Sequence, residues 1–125
     1  MSARAPRPDD PERLRQFKAQ FFKALAHPVR IAILELLRGG PRSVGEIQVL
    51  TRVPGSSISQ QLAILRGRGI VVPERAGTTV RYHAADPQIY VLLDAAREIF
   101  YGNLSDSADL LRLVEAEAEG IAISG

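Results

Sequence analysis

Four neighbouring side chains, Ser56, Ser57, Ser59 and Gln60, bring hydroxyls and a carboxamide together without a charge. Catalysis is not what this set offers. The chain has no cysteine, its two histidines (His27 and His83) lie well away in sequence, and no Gly-rich phosphate loop is present. No nucleophile–base pair can be read from it, and the chain reads as a non-enzyme. What the set does offer is paired donors and acceptors. A glutamine carboxamide can bond adenine bidentately in a DNA major groove, and serine hydroxyls can serve several bases. A solvated helix face also looks like this, so the flanking elements must decide.

Those elements are ordered. Ile58, Leu62 and Leu65 recur at i, i+4 and i+7, one stripe facing a core. Ser56, Gln60 and Ala63 then point the opposite way, flanked by Ser57, Ser59 and Ile64. Ser56 or Ser57 is the expected N-cap, giving a helix over Ser56–Arg68. A shorter helix precedes it. Ser43 and Glu46 form a capping-box pattern, followed by apolar Val44, Ile47 and Leu50. Pro54 interrupts the pattern, and Gly55 is expected to supply the backbone angle of the corner. Two short helices around a tight turn, the second polar, make a helix-turn-helix that lays one helix in a DNA groove.

Ile70–Arg75 and Thr79–Ala84 read as a hairpin turning through Ala76, Gly77 and Thr78, with Val80 and Tyr82 on its buried face. Pro73 lacks a ladder donor and predicts an edge strand. A hairpin behind a recognition helix is a wing. Arg75 and Arg81 are placed to meet phosphates, with Thr78 at a small tip that can enter a minor groove. Arg42, Arg52 and Arg66 complete the phosphate-contact candidates.

Upstream, Pro11 opens a helix bearing Leu14, Phe17, Phe21, Phe22 and Leu25, more aromatic than a small core requires. His27–Pro28 is a corner, at which the histidine reads as a packed or capping residue. Downstream, Asp86–Pro87 opens a long helix with the stripe Ile89, Leu92, Leu93, Ala96, Ile99, Phe100 and Leu104. Gly102–Asn103 is expected to kink it, and Leu110, Leu111, Leu113 and Val114 to continue it. Such faces need a partner, and a second copy of the chain is the expected one. Leu14, Phe17, Phe21, Leu92, Ile99 and Phe100 are the dimer-interface candidates. Residues 1–10 read as a disordered tail whose Arg4 and Arg7 can add weak DNA contact. Residues 119–125 read as a frayed end, leaving one domain over 11–118.

Charge is segregated. Residues 1–40 carry eight Arg/Lys against four Asp/Glu, residues 41–85 six Arg against two Glu, and residues 86–125 two Arg against eight Asp/Glu. The local balances are therefore +4, +4 and −6, summing to the chain's +2. Phosphate binding falls to the middle of the chain. No run approaches the ~18 apolar residues of a membrane span, and no signal-peptide core follows Met1.

The runs FKALAHPVRIAILELL, SVGEI and SSISQQLAILRGRGIVVPERAGTTVRYHAADP resemble the ArsR/SmtB family of bacterial repressors, over roughly Phe17 to Phe100. The resemblance implies a mainly α winged helix-turn-helix with a small β-hairpin wing, in the order α-α-α-α-β-β-α. It implies a cytoplasmic homodimer that reads an inverted repeat in double-stranded DNA and represses transcription. By motif position its base-contacting residues fall on Ser56, Ser57, Ser59 and Gln60. It also implies a small inducer, often a metal, and here the sequence departs. The places of one family Cys-x-Cys site fall on Gln48 and Leu50. The last helix has Asp94, Glu98, Asp106 and Asp109 but no histidine. A thiophilic-metal sensor is not supported. The remaining metal reading is a borderline ion, nickel or zinc, held by His83 with carboxylates across a dimer. An organic ligand, a protein co-regulator and no inducer stay open beside it. The alternative function is a winged-helix interaction module docking another protein through its terminal helices.

Overall fold

The computed structural model describes residues 10–102 and 107–124. The readings made above for residues 1–9, Asn103, Leu104, Asp106 and Gly125 lie outside them. Helix α1 spans Pro11–Leu25 and α2 spans Pro28–Leu37. A two-residue strand β1, Arg42–Ser43, follows, then α3 (Val44–Thr51) and α4 (Gly55–Gly67). Strands β2 (Val71–Ala76) and β3 (Thr79–Ala84) form the hairpin, and α5 (Gln88–Gly102) and α6 (Ser107–Ser124) end the chain.

Each start has a local cause. Asp10 accepts from the Glu12 amide at 3.0 Å, with Pro11 in the first turn of α1. His27 Nδ1 accepts from the Val29 amide at 3.1 Å, so this histidine caps α2. Ser43 and Glu46 close the expected capping box, at 3.1 and 3.2 Å. Helix α4 departs from expectation. It starts at Gly55 and has no side-chain cap. The Pro54 carbonyl instead accepts from the Ser57 and Ile58 amides, at 3.0 and 3.1 Å, which frees both serine hydroxyls. The left-handed residue of the corner is also not the glycine: it is Arg52, with φ 61°.

The sheet order is β1-β3-β2, antiparallel throughout. The third strand, β1, escaped the sequence reading because two residues carry no periodicity. Pro73 sits opposite Tyr82 on the edge strand, as its missing donor requires. The hairpin loop is tighter than expected. Ala76 pairs with Thr79, leaving only Gly77 and Thr78, and Gly77 at φ 66° suits the first position of a type II′ turn. Val80, expected inside, is exposed because the wing extends beyond the core.

That core gathers Ala24 and Leu25 from α1, Ile33, Leu34 and Leu37 from α2, and Ile47 from α3. Ile58, Leu62 and Leu65 come from α4, and Ile70, Val71 and Ile89 complete it. Gly69, at φ 70°, takes the left-handed position after α4, and the Ile70 amide returns to the Leu65 carbonyl at 2.9 Å. Helix α5 leans on α2. Tyr90 Oη donates to the Leu34 carbonyl at 2.8 Å, and Arg38 donates to both Asp94 oxygens at 2.8 and 2.6 Å. Helix α6 packs against α3 and is tied to α5 by Arg97–Glu117 at 2.6 Å and by the Tyr101 hydroxyl on Glu117. It runs to Ser124, past the fraying expected from residue 119.

The Arg38 hydrogen bonds hold the Asp94 carboxyl below its ordinary range. Its stabilising effect is complete above the unfolded-state pKa and is lost as pH falls through the lower folded value. The pair is half exposed, so the effect is small. Urea midpoints measured against pH should show Arg38→Gln weaker than wild type at neutral pH, with the gap narrowing as acid protonates Asp94. A gap independent of pH would mean that Arg38 acts only through its stacking on Tyr90.

Candidate nucleic-acid interface

Burial fixes the aim of α4. Ile58, Leu62 and Leu65 are at most 1% exposed. Helical geometry therefore turns Ser56, Gln60 and Ala63 outward, and all three are exposed. Ser59 is exposed on one flank, and Ser57 is half-buried on the other. Ile64, 40% exposed, lies among them as an apolar patch able to meet a thymine methyl. The four residues expected to read bases thus share one helix and open to one side, free of intramolecular side-chain bonds among the described residues.

The arginines divide into two groups. Arg52, Arg66 and Arg75 are exposed and make no ion pair or side-chain hydrogen bond with another described residue. Arg42 is committed: its Nε donates to the Leu36 carbonyl at 3.2 Å, tying β1 to the last turn of α2. Arg81 lies 3.5 Å from Glu46. The Ser43 amide and hydroxyl, then Arg81 and Arg42, hold the Glu46 carboxyl below the ordinary carboxylate range. Part of the positive charge assigned to phosphate contact is thus balanced inside the fold. Thr78 stands exposed at the wing tip beside Gly77.

Two further bridges were missed by the sequence reading. Arg30 Nε donates to Gln61 Oε1 at 2.8 Å, and Arg68 Nη2 donates to Gln20 Oε1 at 3.0 Å. Their partners are far apart in sequence, so local spacing carries no sign of them.

The interface candidates also divide. Leu14, Phe17, Ile99 and Phe100 are 42%, 54%, 65% and 63% exposed, with the Arg13 guanidinium 4.9 Å from the Phe17 ring centre. Phe21 and Leu92 are half-buried against the core and line a mostly apolar cleft of about 290 Å³ with Ile70 and Ile89.

His83 sits on β3 with Nδ1 at 3.0 Å from the Ala84 carbonyl and Nε2 at 3.5 Å from Glu74. Among the described residues no three His, Asp or Glu side chains converge into a metal's donor set. Among the same residues no helix is long and apolar enough to cross a membrane.

Comparison with known proteins places this geometry. The sequence profile described as "Bacterial regulatory protein, arsR family" matches residues 27–72. The chain is 44% identical over 106 residues to the HTH-type transcriptional regulator Rv0081 of Mycobacterium tuberculosis, covering 84% of this chain and 93% of that protein. It is 40% identical over 86 residues to the HTH-type transcriptional repressor SmtB of the same organism, covering 68% and 64%. The Rv0081 crystal structure superposes with a TM-score of 0.69 over 76% of this chain and 96% of that one, at 46% identity. The homodimeric winged helix-turn-helix domain of Mb0332 from Mycobacterium bovis does so with a TM-score of 0.70, at 28% identity, over 84% and 94%.

The division among arginines is testable by urea unfolding. Arg42→Ala should cost about 1 kcal/mol, since the Leu36 carbonyl loses a partner. Arg75→Ala should stay within about 0.5 kcal/mol of wild type. Arg52→Gly should be at least as stable as wild type, because glycine suits its left-handed backbone. A clear loss at Arg52→Gly would mean that its side chain supports the fold.

Proposed function

The chain belongs to the ArsR family of bacterial regulatory proteins, and we propose that it represses transcription as a homodimer reading an inverted repeat through α4. It is a DNA-binding transcriptional regulator of winged helix-turn-helix fold and not an enzyme. The observation that carries the proposal is the outward face of α4: uncharged, rich in hydrogen-bonding groups, and held opposite a fully buried stripe. In this reading Ser56, Ser57, Ser59 and Gln60 read bases. Arg52, Arg66 and Arg75 carry most of the phosphate contact, Arg42 and Arg81 give what their internal partners leave, and Thr78 leads the wing.

The unit is the domain of residues 11–118, and it acts in the cytoplasm on double-stranded DNA. Leu14, Phe17, Ile99 and Phe100 close the dimer, with Phe21 and Leu92 at its edge. That arrangement sets two α4 helices in successive major grooves about 34–36 Å apart. Mb0332, whose domain superposes, is homodimeric, which supports this reading. A nickel or zinc ion would need donors from a second subunit beside His83 and Glu74. The other readings are a small organic molecule, a protein co-regulator or no inducer at all.

In anisotropy titrations, Gln60→Ala should lose about 1–3 kcal/mol on a selected operator duplex and little on a scrambled one. Equal losses on both would remove Gln60 from base readout. Arg75→Ala should weaken both duplexes and reduce the salt slope by about 1. Light scattering should show a wild-type dimer and a Phe17→Glu monomer. A wild-type monomer would favour an interaction module that docks another protein through its terminal helices.

A further inference from the structure

Arg30 belongs to none of the roles assigned so far, yet it occupies a junction. It sits in the first turn of α2, half-buried. Its guanidinium reaches in two directions. Nε donates to Gln61 Oε1, on the flank of α4, at 2.8 Å. Nη1 donates to the Ala24 carbonyl at 3.0 Å and approaches the Lys23 carbonyl at 3.5 Å, both in the last turn of α1. A cation at the C-terminal carbonyls of a helix is favoured by the helix dipole as well as by the hydrogen bonds. Arg30 is therefore anchored at α1 and holds α4 from that anchor. A second bridge acts farther along the same pair of helices, where Arg68, just past the end of α4, donates to Gln20 of α1 at 3.0 Å.

Gln61 matters here by contrast with its neighbour. By residue type both Gln60 and Gln61 suit adenine readout. Gln60 is exposed, whereas Gln61 is half-buried with its carboxamide oxygen engaged by Arg30. A bidentate bond to adenine needs that oxygen free. The adjacent glutamines thus have different work, one toward DNA and one toward the fold.

We propose that Arg30, acting through Gln61, is a positioning residue for DNA recognition: it fixes the angle of α4 against α1, and so the half-site spacing that the dimer accepts. The inference rests on the homodimer reading above, in which α1 lies at the subunit boundary. Apolar packing of Ile58, Leu62 and Leu65 sets how α4 is rolled about its axis. It constrains the swing of the helix over the core less well, since dispersion contacts have little directionality. Two charged hydrogen bonds from one rigid, planar guanidinium supply that direction.

The test uses full-length protein and duplexes selected by the wild type from a random pool. Wild type should enrich an inverted repeat with one dominant spacing. Arg30→Ala and Gln61→Ala should each bind that duplex about tenfold more weakly, with affinity for a scrambled duplex unchanged. The double variant should be no weaker than either single one. Pools selected by the variants should show a broadened or shifted spacing, which a role confined to stability would not produce. Gln61→Met, of similar shape but without the acceptor, gives the same readout should Arg30→Ala fail to fold. Additive losses, or an unchanged spacing, would overturn the positioning role. No enriched duplex with the wild type would instead overturn the DNA reading itself, and the inference with it.

Discussion

Everything at the candidate interface depends on the burial of three side chains. Ile58, Leu62 and Leu65 are driven into a core built by α2, α3 and the root of the hairpin. Because a helix has a fixed period, burying that stripe determines which residues face away from it. Burial of a side chain of this size contributes roughly 1.5–3 kcal/mol. Rolling α4 by one residue would forfeit much of that three times over. A surface of serines and a glutamine has no comparable force of its own to orient it. The polar face is aimed by the apolar one.

The arginines show how a fold separates internally paired charge from charge left to solvent. Arg30, Arg38, Arg42, Arg68 and Arg81 have partners on other elements, and each shortens the distance between two pieces of the chain. Arg52, Arg66 and Arg75 are left to solvent. Arg52 is the most telling of these. It stands in a left-handed conformation that glycine would adopt without strain, and its exposed side chain has no described partner to offset the cost. Keeping an arginine there makes sense if the charge is needed at the mouth of the turn. Six of the fourteen acidic residues lie elsewhere, on α5 and α6, with Glu117 held by Arg97 and Tyr101.

Much of this was legible from residue spacing. The helices around the turn, the capping box and the wing all follow from period, caps and turn residues, because those signals are local. The outward-facing set was legible for the same reason: a helical period read from Ile58 to Leu65 gives the opposite face directly. What escaped was either too short or too long in range. Strand β1 is two residues, too few for a pattern. The start of α4 was misplaced because a serine near a turn resembles a cap, whereas Pro54 offers its carbonyl to the first amides. The spacing of arginines along the chain could not reveal their partners. Arg42 looked like a phosphate ligand and is bound to Leu36, and Arg30 looked like nothing in particular and joins three helices.

Helix α1 is where these threads meet. Leu14 and Phe17 are exposed, where the proposed second subunit would sit, while Ala24 and Leu25 are buried in the core. Its last-turn carbonyls hold Arg30, and its Gln20 holds Arg68. A helix tied on both sides cannot move against one without disturbing the other, since packed interiors transmit displacement rather than absorb it. Any ligand that binds one arrangement of the subunit boundary better than another will therefore bias the angle of α4 as well. The cleft lined by Phe21, Ile70, Ile89 and Leu92 opens beside α1 and Gly69, the left-handed residue that follows α4. In the proposed reading, the dimer boundary and the anchor of the DNA-reading helix thus share one short element.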